Sequence, residues 1–274
     1  RLEHDDAGER VTAAVYATPD GETHRQEARE FVLAAGGVET TRLLLLSESP
    51  QYPDGLANSS GVVGRYFHEH LFAGTSGVID RETRQHHVGF NTTESHQFYD
   101  EPAAGTDRGI PAADAGADDL GPIKLEFRNY GGPSPVGVAL SDGGGGDGLR
   151  ERISDTYGSH LTVGALVEQT PRRENRVTLD PSRTDDHGNP VPEIHWGLDD
   201  RTRQTLRRAN AIQEAILDEL DAEITWQIGP ENTGPAFHHM GTTRMGTDPD
   251  GSVVDARGQT HDLANLWLAG PSVF

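Results

Sequence analysis

The 274-residue chain carries 44 acidic against 23 basic side chains, a formal net charge of −21, and it has no cysteine. A folded chain of this mass has roughly 11,600 Å² of surface, which leaves each net negative charge only about 550 Å². Such a surface repels nucleic acid and anionic lipid, and the absence of thiols excludes disulfides, thiolate metal sites and a cysteine nucleophile.

Lys124 is the only lysine. An acidic, lysine-poor surface fits a high-salt cytosol, because at molar salt the Debye length falls to about 3 Å and self-repulsion is screened. A cytoplasmic location of that kind is the expectation; an ordinary solvated acidic face is the plainer alternative. No apolar run approaches the ~20 residues of a transmembrane helix, and no signal-peptide pattern is present. The opening residues RLEHDDAGERVTAAVY read as the end of one strand, a turn and the start of the next. This reading makes the chain part of a longer protein.

Residues 10–17 alternate and carry β-branched side chains, and Asp20-Gly21 supplies a turn. Residues 29–35 form an apolar run suited to a strand buried on both faces. Gly36 and Gly37 follow at once, and VETTRLLLLSES is helical in composition. Strand, double glycine and helix make a tight turn whose bare N–H groups point beyond the strand end, or else an ordinary turn packed on its neighbours. From 67 to 197 the pattern becomes short strands at 71–79, 123–128, 136–140, 160–168, 176–179 and 191–196, with a long Pro/Gly/Ala/Asp excursion at 101–122. Leu206, Ala209, Ile212, Ile216 and Leu220 recur at helical spacing and predict a helix over 199–222.

Several patterns invite chemistry. SDGGGGDGLRER holds a literal G-x-G-x-x-G at Gly143, Gly145 and Gly148, but four consecutive glycines satisfy many patterns, and a flexible loop accounts for them as well. His68 and His70 stand two apart, which on a strand puts both on one face as metal ligands, yet no third ligand stands at a recognisable spacing. No metal is expected. His86-His87 is a loop pair, TDPDGSVVD reads as a polar turn before a Val253-Val254 strand, and no G-x-S-x-G elbow supports a serine hydrolase. PAFHHMGTTRMG, residues 235–246, is different. It sets His238 and His239 beside Gly241 and Gly246, so that two titratable rings lie next to backbone bare enough for a flat cofactor to approach.

Four blocks in order resemble the glucose–methanol–choline (GMC) family of FAD-dependent oxidoreductases, in its C-terminal half: REFVLAAGGVETTRLLLLS, SSGVVGRYFHEHL, EQTPRRENRVTLDPSRTDDHGNPVPEIHW and FHHMGTTRMGTDPDGSVVDARGQTHDLANLWLAGPSVF. Sugar- and polyol-oxidising members of the gluconate dehydrogenase and pyranose oxidase type are the most similar in wording. The resemblance implies an α/β FAD-binding portion, Rossmann-like and incomplete, at 1–66 and 228–274. It implies an α+β substrate-binding domain at 67–227, with a mostly antiparallel sheet covered by a long helix. It places the catalytic histidine at His238, with His239 as second choice. Ala35, Gly36 and Gly37 fall at the cofactor-facing turn, and Ala269, Gly270, Pro271 and Ser272 fall beside the flavin, where Pro271 removes one N–H. The implied reaction oxidises a CH–OH group of a sugar or other alcohol, with hydride passing to FAD and the proton to histidine. Implied partners are the N-terminal half of the same protein and an electron-acceptor protein. A non-catalytic or carbohydrate-binding remnant with the same sheet, and a nicotinamide-binding module on Gly143–Gly148, are the rival readings.

Overall fold

The computed structural model describes residues 1–274 except 84–88, 90, 108, 130–133 and 143–145. In chain order its elements are β1 (Leu2–His4), β2 (Val11–Ala17), β3 (Thr23–Glu27), β4 (Phe31–Leu33), α1 (Gly36–Leu45), β5 (His70–Val78), β6 (Asn91–Ser95) and β7 (Ile123–Arg128). Then follow α2 (Pro135–Asp142), α3 (Asp147–Thr156), β8 (His160–Glu168), β9 (Arg176–Thr184), β10 (Pro190–His195), α4 (Asp200–Asp218), β11 (Glu223–Ile228) and β12 (Leu266–Leu268). They fall into two compact units. Among the described residues no helix is long and apolar enough to cross a membrane.

The first unit comprises Arg1–Glu69, Pro171–Gly197 and Phe237–Phe274. β1, β2 and β3 form an antiparallel sheet, and β4 pairs in parallel with β12, Phe31 opposite Leu266 and Leu33 opposite Leu268. Leu2, Val11, Phe31, Leu33, Leu44, Leu266 and Leu268 share one buried core, each buried side chain contributing roughly 1.5–3 kcal/mol. Asn265 fastens its edge: the side chain accepts the Val11 N–H at 2.8 Å and donates to the Val11 and Arg29 carbonyls at 2.9 Å each. The β9–β10 hairpin, expected within the 67–227 segment, belongs to this unit instead. Partly buried Arg42 on α1 explains why, bonding Asp185 Oδ2 at 2.6 Å and the Pro190 carbonyl at 2.9 Å. The strand expected at 29–35 to be buried on both faces shrinks to three residues, and Val32 is 63% exposed.

The second unit comprises His70–Thr170 and Leu198–Ala236. Its sheet runs β11-β5-β8-β7-β6, and every neighbouring pair is antiparallel. Leu71, Ala73, Ile123, Leu125, Ala165 and Val167 on one sheet face share a core with Leu206, Ala209 and Ile212 of α4. The Asp199 carboxylate caps α4 by accepting the Thr202 N–H at 2.8 Å. The helix ends at Asp218 rather than 222, because Asp221 adopts φ +52° and the Ala222 N–H turns back to the Leu217 carbonyl. The run 136–140, read as a strand, is helix α2. Ser134 caps it, accepting the Gly137 N–H at 3.0 Å, and Pro135 occupies the first helical position.

Candidate functional site

The carboxyl ends of the parallel pair β4 and β12 lie side by side, joined by the Ala269 N–H to the Leu33 carbonyl at 2.8 Å. From β4 the chain passes through exposed Ala34 and Ala35 into α1; from β12 it passes through exposed Ala269, Gly270 and Pro271 into a short 3-10 turn. Gly36 (φ +79°) and Gly270 (φ +116°) take left-handed backbone that only glycine adopts readily, and a Cβ at either would meet nothing within 4 Å. No side chain caps the start of α1 at Ala35. The result is an edge of small residues, open space and helix N–H groups, a shape that suits a flat or anionic group.

Residues 242–245 tie both strand ends together. The Thr242 hydroxyl donates to the Gly37 carbonyl at 2.7 Å and the Thr243 N–H to the Ser272 carbonyl at 2.8 Å. The Thr243 hydroxyl reaches buried Ser272 Oγ at 2.7 Å, and the Met245 N–H reaches the Val273 carbonyl at 2.8 Å. The double histidine therefore belongs to the same unit as both cofactor-facing stretches expected from the sequence.

The glycines divide. A Cβ on Gly37 would overlap the His239 carbonyl oxygen and lie 2.8 Å from His239 Cβ. One on Gly241 (φ +87°) would overlap the Tyr66 carbonyl oxygen, and one on Gly246 would come within 2.9 Å of Ser252 Cβ. Gly241 and Gly246, expected to bare the backbone for a cofactor, instead let one protein segment approach another.

At the histidines, Met240 and His68 exchange backbone hydrogen bonds at 2.9 and 3.2 Å, so segments 66–69 and 237–241 run antiparallel. Glu69 is 1% exposed. Its Oε2 accepts the His238 N–H at 2.8 Å, and its Oε1 lies 2.9 Å from Nε2 of His239, whose side chain is one-third exposed. Phe67 packs on the His239 ring at 5.6 Å, and Phe237, strongly exposed at φ +63°, meets it edge-on at 6.4 Å. His238 is exposed. The sequence reading weighed the two histidines of FHEHL and passed over the acid between them. The signal was there, since period-2 alternation points Glu69 opposite to both.

The other candidates come to less. His68 precedes the strand that begins at His70, and its Nδ1 lies 2.8 Å from the Tyr66 carbonyl oxygen. Among the described residues no three His, Asp or Glu side chains converge as metal ligands. Gly143 and Gly145, like His86-His87, lie outside the described residues, while Gly148 sits inside α3. The TDPDG stretch is a turn, in which Asp248 accepts the N–H groups of Asp250 and Gly251; Val254 makes isolated bridges rather than a strand. Beside α1, the Arg42 guanidinium and the backbone N–H groups of Asn189 and His187 hold the Asp185 carboxyl down to about 2. On the second unit, the sheet face away from α4 carries Phe72, with Arg128 4.5 Å above its ring and the Trp226 ring against Gly74.

The model of a family described as GMC oxidoreductase matches residues 171–274. The chain is 30% identical over 272 residues to 2-methyl-1,2-propanediol dehydrogenase of Mycolicibacterium austroafricanum, covering 96% of this chain and 47% of that one. It is 32% identical over 269 residues to the fructose dehydrogenase large subunit of Gluconobacter japonicus, covering 96% and 46%. The chain thus spans about half the length of the curated relatives it matches. Pyridoxine 4-oxidase from Mesorbium loti shares the fold at TM-score 0.63 and 18% identity, covering 100% of this chain and 51% of that one.

Proposed function

Because the chain belongs to the GMC oxidoreductase family, we propose that it forms the C-terminal part of an FAD-dependent enzyme that oxidises a CH–OH group of a sugar or polyol. One observation carries the reading: two parallel strand ends with open, left-handed Gly36 and Gly270 are fastened by Thr242 and Thr243 to the loop that bears His238 and His239. An edge on which two Cβ positions stay empty fits a planar cofactor. Ala35, Gly36, Ala269, Gly270 and Pro271 would line FAD; Gly37 and Ser272 would hold that edge in place from behind. FAD, when bound, supplies the acceptor for the hydride that leaves carbon, which no side chain can take.

The chain's own residues handle the proton. Histidine is the side chain whose ordinary pKa suits a base at neutral pH, and general-base catalysis is worth about 10²–10⁴-fold. β4, α1 and β12 serve in this reading as part of a Rossmann-like FAD-binding domain, and the second unit, its antiparallel sheet backed by α4, as the substrate-binding part. The Phe72–Arg128 stack and Trp226 suit a polyol, whose C–H faces pack on aromatic rings while its hydroxyls bond charged groups. The names of the relatives point to a ketose or a vicinal diol.

The test is co-expression of the chain with the polypeptide encoded immediately upstream, followed by loading with FAD. Bound flavin that bleaches on anaerobic addition of fructose or 2-methyl-1,2-propanediol, and does so slowly in His238→Ala or His239→Ala, supports the reading. A preparation that binds no flavin, or whose flavin no sugar or diol bleaches, overturns it.

A further inference from the structure

Arg65 and Arg176 stand opposite each other within the first unit. They bridge two antiparallel segments, flanked by backbone bonds from the Val177 N–H to the Gly64 carbonyl at 2.8 Å and from the Phe67 N–H to the Asn175 carbonyl at 3.0 Å. Residues opposed in this way set their Cβ atoms about 4.5–5.5 Å apart on one face, where like charges repel. Among the described residues no carboxylate pairs with either guanidinium, although the chain carries 44 acids. On the same face of the β9–β10 hairpin, Glu193 is turned to the His195 ring at 3.3 Å and not to Arg176. Arg65 gives its Nε–H to the Gly61 carbonyl at 2.9 Å, and Arg176 gives one Nη1–H to the Glu174 carbonyl at 3.2 Å. A guanidinium has five N–H groups, so most of the donors on both heads stay uncommitted.

Both arginines line a cavity of about 450 Å³ formed by residues of the first unit alone. Glu48 and Asp54 line it too, neither of them joined to an arginine, and Leu45 and Val63 supply apolar wall. That volume falls within the range of small-molecule sites. Two uncommitted guanidiniums side by side match an oxyanion, which takes parallel N–H bonds from each planar fork. The two carboxylates are acceptors only, so they bond hydroxyl groups and repel any further negative charge. We propose that Arg65 and Arg176 bind a small polyhydroxylated oxyanion, a sugar acid or a sugar phosphate, with its carboxylate or phosphate on the guanidiniums and its hydroxyls toward Glu48 and Asp54. None of these residues belongs to the flavin edge or the polyol face described above, so the site stands or falls independently of the proposed oxidation.

The test titrates the 274-residue chain, 15N-labelled at arginine, with gluconate, glucose 6-phosphate, glucose and acetate in chloride-free buffer. Gluconate and glucose 6-phosphate add an oxyanion to a hydroxylated body; glucose has the body alone and acetate the oxyanion alone. At least one of the first two should shift the Arg65 and Arg176 signals together and saturably, and bind at least tenfold more tightly than glucose or acetate. Which of the two binds more tightly separates the carboxylate source from the phosphate source. Calorimetry should then show affinity for that probe falling about tenfold or more in Arg65→Gln and in Arg176→Gln, the loss of a charge-assisted bond. Arg257→Gln, which removes an equal charge from a guanidinium paired with Asp255 at 2.9 Å, should leave the affinity unchanged. Arginine signals that no probe moves, or that glucose or acetate moves at the same concentration, overturn the proposal. So does a folded Arg65→Gln chain that binds as tightly as its parent. The first titration needs no variant and decides the matter even if neither substituted chain folds.

Discussion

Gly36 and Gly37 are neighbours required for opposite reasons, and alanine at each separates them. At Gly37 the added Cβ would overlap the His239 carbonyl oxygen and sit 2.8 Å from His239 Cβ and 2.9 Å from its carbonyl carbon. Carbon atoms rest at about 3.5–4.0 Å, so α1 and the histidine loop must part by about 0.7 Å or more. Overpacking of this kind costs about 1–3 kcal/mol, and a backbone neighbour that cannot swing aside puts Gly37→Ala near the top of that range. Alanine recovers about 1 kcal/mol as the better helix former, leaving a net loss of about 2 kcal/mol. At Gly36 the Cβ enters open space, and only the left-handed φ of +79° opposes it, at about 1–2 kcal/mol and with no displacement of the loop. Urea unfolding followed by Trp196 and Trp267 in a Trp226→Phe background reports the first unit alone. Both variants should lose stability, but only Gly37→Ala should also shift the ring signals of His239. A Gly37→Ala chain as stable as its parent, with His239 undisturbed, would refute the close approach.

Asn265→Leu leaves the Val11 N–H and carbonyl and the Arg29 carbonyl without their buried partner. At about 1–3 kcal/mol for each stranded group, it should cost at least 3 kcal/mol in the same unfolding assay. Asp185 is held down to about 2, chiefly by Arg42, so its contribution is present above the unfolded value of about 3.8 and is lost as pH falls through about 2. The β9–β10 hairpin should therefore keep its native amide shifts at pH 4 and loosen only below, whereas Arg42→Met should release it at neutral pH. Burial, helped by Asp262 and Asp5, raises the Tyr52 hydroxyl to about 12, while it donates to the Gly8 carbonyl at 2.7 Å. Its stabilisation is complete below the ordinary value of about 10 and is lost as pH rises through about 12, so tyrosinate absorbance from Tyr52 should lag behind that of exposed Tyr16 and Tyr99. A net charge of −21 implies that thermal stability climbs as KCl rises toward molar concentration; a flat or falling trend would remove the high-salt reading.

Where the sequence was periodic and its caps ordinary, it was readable. Residues 123–128 and 160–168 are strands with the bounds their alternation suggests, and the stripe from Leu206 to Ile216 lies on one helix. Strands without an apolar face escaped it. β3 (THRQE) and β6 (NTTES) are polar edge strands, and β11, beginning at Glu223, is exposed along nearly its whole length. Residues 136–140 misled for a local reason: Val136, Val138 and Leu140 alternate as a strand would, yet Ser134 and Pro135 just before them are a helix-start signal, and the cap outweighed the alternation.

The site was legible in its residue types but not in their division of labour. A glycine in a sequence announces missing bulk without saying which neighbour needs the room. Gly37, Gly241 and Gly246 make room for protein, while Gly36 and Gly270 face open space and carry the left-handed turns at two strand ends. The histidines pose the same ambiguity one level up. FHEHL and FHHMG lie about 170 residues apart, and the antiparallel exchange between His68 and Met240 brings the acid of the first against the His238 backbone and the His239 ring. A buried carboxylate is costly, and Glu69, 1% exposed, keeps Oε2 on the His238 N–H while Oε1 lies 2.9 Å from the His239 ring nitrogen. Removing one partner should therefore destabilise the turn more than removing both: the His239→Leu, Glu69→Leu pair should be closer to the parent in unfolding free energy than His239→Leu alone. A strictly additive double-mutant cycle would mean that the two side chains are neighbours without being coupled.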